Sequence, residues 1–258
     1  KKVIEPMPET KSQLEIATAL AQRLGERGTE TAALAMLGEV AWRQSKYDDA
    51  ERYGQEALVL AQQNADMAGQ ARVKSTLSAV AWRRGQYEEA TRWAEESRTL
   101  CEQIGDRQGL ATALNVLGIV TSMQAGLLEK ARTYYSESLS LCRKIGDRRG
   151  EGVALNNLGE IARRQDAYEE ARAYYEQAEA ISDEIGDRQG VAIFLLNLGA
   201  VCIAQGQDAT AWGYLRRALP ECFGMGDITG TLCGLVHMAH LLARAAQPER
   251  AAAWLGLA

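Results

Sequence analysis

Cys233, His237 and His240 fall at i, i+4 and i+7, which sets a thiol and both of the chain's imidazoles on one helix face, a spacing suited to a transition metal. No fourth ligand is evident, and Cys233 stands where helices pack, so no metal is assigned. A second pattern invites phosphate chemistry. The turns Gly105-Asp106-Arg107-Gln108-Gly109, Gly146-Asp147-Arg148-Arg149-Gly150, Gly186-Asp187-Arg188-Gln189-Gly190 and Gly226-Asp227-Ile228-Thr229-Gly230 are glycine-rich loops. None has the lysine followed by Ser or Thr that completes a nucleotide loop. Capping explains each residue instead: the first Gly takes the left-handed position ending one helix, Asp caps the next, and the last Gly permits close packing at its start. No triad, paired catalytic carboxylates or lysine nucleophile stands outside this logic, so neither an enzyme nor a cofactor is expected.

The elements that carry these residues repeat. A Leu-Gly-like pair returns at a spacing of 40 or 41 residues as Leu37-Gly38, Leu77-Ser78, Leu117-Gly118, Leu158-Gly159, Leu198-Gly199 and Met238-Ala239. A column of Ala50, Ala90, Ala131, Ala171, Ala211 and Ala251 follows in step. Two columns in phase predict a stack of helical hairpins. First helices (A) are expected near 29–44, 69–84, 107–124, 148–165, 188–205 and 228–245, and second helices (B) near 47–63, 87–104, 128–145, 168–185, 208–223 and 248–257. A leading helix near 11–25 opens on a Thr10/Gln13 capping box. The organisation is an extended lead-in at 1–10 and one solenoid domain over 11–258, with repeats near 29–68, 69–106, 107–147, 148–187, 188–227 and a truncated 228–258. On the B helices an aromatic follows the column Ala by three (Tyr53, Trp93, Tyr134, Tyr174, Tyr214) and a small residue by seven (Ala57, Ser97, Ser138, Ala178, Ala218), a single core stripe.

Composition agrees with an all-α chain: 258 residues, 47% hydrophobic, four prolines and two phenylalanines. A net charge of −5 argues against direct nucleic-acid binding. No apolar run spans a bilayer, and no membrane contact is expected. The five cysteines are Cys101, Cys142, Cys202, Cys222 and Cys233; three share a small-residue column with Ala61 and Ser182, which predicts reduced thiols and a cytoplasmic setting. The chain begins at Lys1 and stops inside the second helix of the sixth hairpin, as a piece of a longer protein would.

These columns resemble the tetratricopeptide repeat in its long form, over about residues 29 to 257. The run from Leu155-Asn156-Asn157-Leu158-Gly159 through Tyr168-Glu169-Glu170-Ala171 to Ile185-Gly186-Asp187 is similar to repeats of kinesin light chains, G-protein-signalling modulators and bacterial signalling ATPases. The resemblance implies a right-handed superhelix of helix pairs, an α-solenoid whose A helices line a concave groove for peptides. The closing stretch Gln247-Pro248-Glu249-Arg250-Ala251-Ala252-Ala253-Trp254-Leu255-Gly256 looks like the end of the repeat region in large SARP- and LuxR-type bacterial regulators with a nucleotide-binding switch.

By the family's geometry, groove positions lie one and two residues before the column Leu, and two, five and six after it. The resemblance thus implies a peptide groove made by Trp42, Arg43, Arg72, Trp82, Arg83, Asn115, Asn156, Asn157, Glu160, Arg163, Arg164, Asn197, His237, His240 and Arg244. Asn157 and Asn197 match the family's groove asparagines, whose amides hold a peptide backbone; bridging between helices is the other reading of these amides. Arg43, Arg72, Arg83, Arg163, Arg164 and Arg244 against Glu39 and Glu160 make the groove basic within an acidic protein, which favours an acidic ligand, with Trp42 and Trp82 as aromatic anchors. The arginines have an alternative in local pairing with Asp49, Glu51, Glu88 or Glu89. The expected function is a scaffold binding an acidic peptide or partner protein, as sensor or scaffold part of a bacterial signalling or transcription regulator. A metabolite-sensing domain and a homo-oligomerisation solenoid are the competing expectations.

Overall fold

Alternation of small and large residues decides how these helices stack. The computed structural model describes residues 8–245, with side chains from Leu14 onward, and these form twelve α-helices and no strand. Two compact units are present, residues 1–145 and 146–258. The first holds α1 (Pro8–Leu24), α2 (Arg27–Arg43), α3 (Tyr47–Gln63), α4 (Met67–Arg83), α5 (Tyr87–Ile104), α6 (Arg107–Ser122) and α7 (Leu128–Ile145). The second holds α8 (Arg148–Arg164), α9 (Tyr168–Glu184), α10 (Arg188–Ala204), α11 (Asp208–Gly224) and α12 (Ile228–Arg244). From α2 on, even-numbered helices are A helices and odd-numbered ones B helices. Within each unit an A helix packs on its own B helix, on the preceding B helix and on neighbouring A helices, as α4 does on α5, α3, α2 and α6.

The column alanines Ala50, Ala90, Ala131, Ala171 and Ala211 are completely buried and let helix backbones close up. The glycine after the column Leu has a more specific partner than the aromatic three residues past the alanine. It makes room for the residue four past it: a Cβ on Gly159 would sit 2.7 Å from Cε1 of Tyr175, and one on Gly199 would sit 2.9 Å from Cδ2 of Leu215. Tyr135 fills the same place beside Gly118. In the second hairpin Ser78 replaces the glycine, and its hydroxyl donates to the Ala90 carbonyl at 2.6 Å. The small residues at Ser97 and Ser138 likewise donate to the Ala71 and Ala111 carbonyls at 2.7 and 2.8 Å, tying each B helix to its A helix.

The turns follow the capping account. Gly105, Gly146, Gly186 and Gly226 have φ of +70 to +73, and Asp106, Asp147, Asp187 and Asp227 accept from the amide three residues on at 2.9–3.0 Å. A Cβ on Gly109 would meet Sγ of Cys101 at 2.7 Å, and one on Gly230 would meet Sγ of Cys222 at 2.9 Å, so the cysteine column and the third glycine belong to one packing unit. A degenerate version of the turn, Ala65-Asp66, starts α4 two residues before the expected position because Asp66 caps Gly69 at 2.8 Å. Gly25-Glu26 does the same for α2 without a side-chain cap. Helix α1 begins at Pro8, which suits a first turn, and Thr10 therefore lies inside that turn instead of capping it. The expected helix at 248–257, the stretch 247–256 that carries the regulator resemblance, and the lead-in before Pro8 lie outside the described residues.

Candidate functional site

On each A helix the residues at −5, −1, +2 and +6 from the column Leu share one face, since i, i+4, i+7 and i+11 are neighbours on a helix. None of them is buried. In the first unit they are Ala32, Met36, Glu39 and Arg43 on α2, Arg72, Thr76, Ala79 and Arg83 on α4, and Thr112, Val116 and Ile119 on α6 with Met123 at its C-cap. In the second they are Val153, Asn157, Glu160 and Arg164 on α8, Ile193, Asn197, Ala200 and Ala204 on α10, and Cys233, His237, His240 and Arg244 on α12. Within each unit the variable columns thus line one face of the A helices, while the repeated ones point into the stack.

The expected arginines divide into two kinds. Arg43 pairs with Glu39 at 2.5 Å, one turn away. Arg163 grips Glu160 with both prongs, at 2.9 and 2.8 Å, which holds its guanidinium pKa up, and Tyr175 donates to the same carboxylate at 3.5 Å. Arg244 pairs with Asp208 at 3.1 Å and donates to the Ile203 carbonyl at 3.2 Å. Arg72 and Arg83, by contrast, are in no ion pair among the described residues, and both stand on α4; Arg83 lies over the Trp82 ring, 4.4 Å from its centroid. Arg164 is exposed on α8.

Both tryptophans are half-buried and work partly as packing. Trp42 rests against Ala41, Ala50 and Val80, and its Nε1 is buried without a hydrogen-bond partner. Trp82 rests against Ala81, Ala90 and Val120. The asparagines meet one another: Asn197 Nδ2 donates to Asn156 Oδ1 at 2.9 Å, and Asn156 Nδ2 donates to Asn157 Oδ1 at 3.3 Å. This ladder crosses from α8 to α10 in the way the bridging reading describes. Asn115 is half-buried on α6. His237 Nδ1 lies 4.0 Å from Cys233 Sγ; burial, and then the positive fields of His240 and Arg163, hold its pKa below the usual histidine range, so it is neutral near pH 7. Among the described residues no group of three or more His, Cys, Asp or Glu is placed to hold a metal ion.

Met36 and Met123 stand at groove positions one before and six after the column Leu, whereas sequence reasoning passed over Val153 and Ile193 in the −5 column. Met36 and Met123 are 50% exposed, and Val153 and Ile193 are 44% and 39% exposed. The signal was available, because the −5 column stands four residues before the −1 column. It also passed over Lys74, which takes a leucine position, is buried, pairs with Glu96 and lies 5.0 Å from the Trp93 ring centroid.

Helical hairpins stacked on repeated small and large columns, with a face of variable polar and apolar residues, define an α-solenoid repeat protein. Tetratricopeptide repeat models match residues 31–64, 69–144, 120–184 and 150–220, and the chain belongs to that family. Its fold is similar to that of BtubC (BKLC) from P. vanneervenii, with 22% identity, TM-score 0.70, and 88% of this chain and 93% of that one covered. It is also similar to a signal transduction ATPase with numerous domains (STAND) and a tetratricopeptide repeat sensor from Pyrococcus horikoshii, with 19% identity, TM-score 0.70, and 94% of this chain but 40% of that one covered. A third likeness is to a Rap protein complexed with Competence and Sporulation Factor, with 15% identity, TM-score 0.69, and 88% and 73% covered. At these identities the likeness is one of fold. Comparison of the sequence with curated proteins gives no match.

Proposed function

We propose that this chain is a protein-interaction scaffold whose A-helix face takes an acidic segment of a partner, as the sensor or scaffold part of a larger bacterial signalling or transcription regulator. The observation that carries this reading is the division of charge between helix types. The six A helices hold twelve Lys and Arg against four Asp and Glu, whereas the five B helices from α3 to α11 hold ten against nineteen. Such a separation draws an acidic segment to the A face and repels it from the B face. Exposed Met36, Met123, Val153 and Ile193 supply apolar contact area beside the arginines. Support for a sensor role comes from the fold likeness to the tetratricopeptide sensor of a STAND ATPase and to a Rap protein complexed with Competence and Sporulation Factor.

A dye-labelled peptide rich in Asp and Glu, amidated at its carboxyl end, should bind in fluorescence anisotropy, and a lysine-substituted counterpart should not. Replacing Arg83→Glu should weaken binding by about tenfold or more, and raising salt should weaken the wild type, because this charge is exposed and screened. Equal affinity of the reversed variant would sink the reading.

A further inference from the structure

Both histidines of the chain and its one exposed cysteine stand on α12. Four of the five cysteines are buried, whereas Cys233 is exposed and not packed between helices as its place in the repeat suggested. His237 and His240 follow it at i+4 and i+7 on the same face. Packing does not call for this pair: Gly234, Met238, Ala239 and Leu241 are the residues that α12 buries beyond its first turn. At the two aligned positions no other A helix sets a thiol beside an imidazole; Val153 stands with Asn157, and Ile193 with Asn197.

Cys233 Sγ and His237 Nδ1 face each other across 4.0 Å. A thiol beside an imidazole suits two kinds of chemistry. Nucleophilic catalysis also needs amide donors for a developing oxyanion, and Cys233 lies within α12, where backbone amides are spent on carbonyls four residues back. Metal binding needs only two lone-pair donors at the right span. Zinc–sulfur and zinc–nitrogen bonds are about 2.3 and about 2.0 Å, so two such ligands on a tetrahedral ion stand about 3.6 Å apart. Reaching that span from 4.0 Å takes about 0.4 Å of side-chain rotation, which an exposed cysteine can supply. The same i, i+4 spacing sets the two histidines of the helical zinc motif H-E-x-x-H on one ion.

Donor type selects the ion. Thiolate with imidazole suits zinc and its transition-metal neighbours, whereas Mg²⁺ and Ca²⁺ take oxygen ligands, and α12 carries no Asp or Glu to favour them. We propose that Cys233 and His237 form a two-ligand site for a zinc-class transition ion, with water in its remaining positions. As the sulfur–metal bond forms, the thiol proton passes to solvent, and thiolate and dication together leave one positive charge. Arg163, the arginine whose field reaches His237, is gripped by Glu160 with both prongs and so adds little to that charge. His240 is exposed one turn further on and does not make a group of three with the pair, so it is not assigned as a ligand. The pair is present whether or not this face takes an acidic segment.

The test is a titration of the reduced full chain, free of any histidine tag, with Co²⁺, followed by the thiolate-to-metal charge-transfer absorption. The band should saturate at one ion per chain, Zn²⁺ should abolish it by displacing cobalt, and Mg²⁺ should leave it in place. Cys233→Ser should remove the band, which excludes the four buried thiols as its source. His237→Gln should weaken binding by about tenfold or more, whereas His240→Gln should stay within about threefold of the parent. Circular dichroism checks that each variant folds, and Cys233→Ser, at an exposed position, keeps the test decisive if His237→Gln does not. No band, a band that survives Cys233→Ser, displacement by Mg²⁺ as readily as by Zn²⁺, or equal weakening by the two histidine variants overturns the site. None of these results bears on the acidic-peptide assay, whose variant leaves both residues in place.

Discussion

At the scale of single residues, the same amino acid does opposite things in this chain according to what faces it. Gly118 sits under the Tyr135 ring, whereas Gly213 on α11 has nothing within 4 Å of where its Cβ would stand. Gly118→Ala must push a buried tyrosine aside and should lose about 1–3 kcal/mol. Gly213→Ala adds helix propensity at no steric cost and should gain about 0.5–1 kcal/mol. Urea unfolding of both variants checks the pair, and an equal effect at the two sites would refute the packing account. The sequence marked Gly118 through its column, but the identity of its partner was not legible: Tyr134 and Tyr135 are adjacent, and only the helix rotation shows that the second fills the gap. Arg72, Arg83 and Arg163 make the same point for charge. They read alike in sequence, yet Glu160 holds Arg163 one turn away while Arg72 and Arg83 keep no such partner among the described residues.

At the scale of elements, helix limits were readable wherever a turn kept its residue types. α5 and α7 occupy the expected spans because Gly105 and the aligned column residues mark them without ambiguity. The early starts of α2 and α4 were missed because one turn lacks its aspartate and the other its glycine. Ala65 nevertheless takes φ +53, a left-handed conformation that a β-carbon disfavours. Replacing Ala65→Gly should therefore stabilise the chain by up to about 1 kcal/mol, in line with the cost of a non-glycine residue there. A lowered melting temperature would show that this turn carries no strain.

At the scale of the whole molecule, a stack of hairpins is stabilised by nearest-neighbour interfaces, so protection should follow the number of neighbours a helix has. Helix α1 packs on α2 alone among the described helices and leaves Ile16, Leu20 and Leu24 exposed at 64%, 53% and 66%. Helix α4, with four partners, contributes fully buried Val73 and Val80. Hydrogen exchange should find the amides of α1 opening well before those of α4, and uniform protection across the two would contradict a nearest-neighbour stack. No helix among the described residues is long and apolar enough to cross a membrane. The separation of basic A helices from acidic B helices also belongs to this scale, because the total charge of −5 conceals it.

The sequence by itself determined the all-α repeat, the length of the period, the packing columns and the capped turns, because these depend on spacing along one chain and on local backbone chemistry. Tertiary structure alone decided which polar groups remain for a ligand. Hydrogen bonds between helices, such as Asn197 to Asn156 and Ser97 to the Ala71 carbonyl, consume donors that sequence shows as available. Periodicity fixes what must be buried, but the use of each exposed group depends on neighbours that the period does not name.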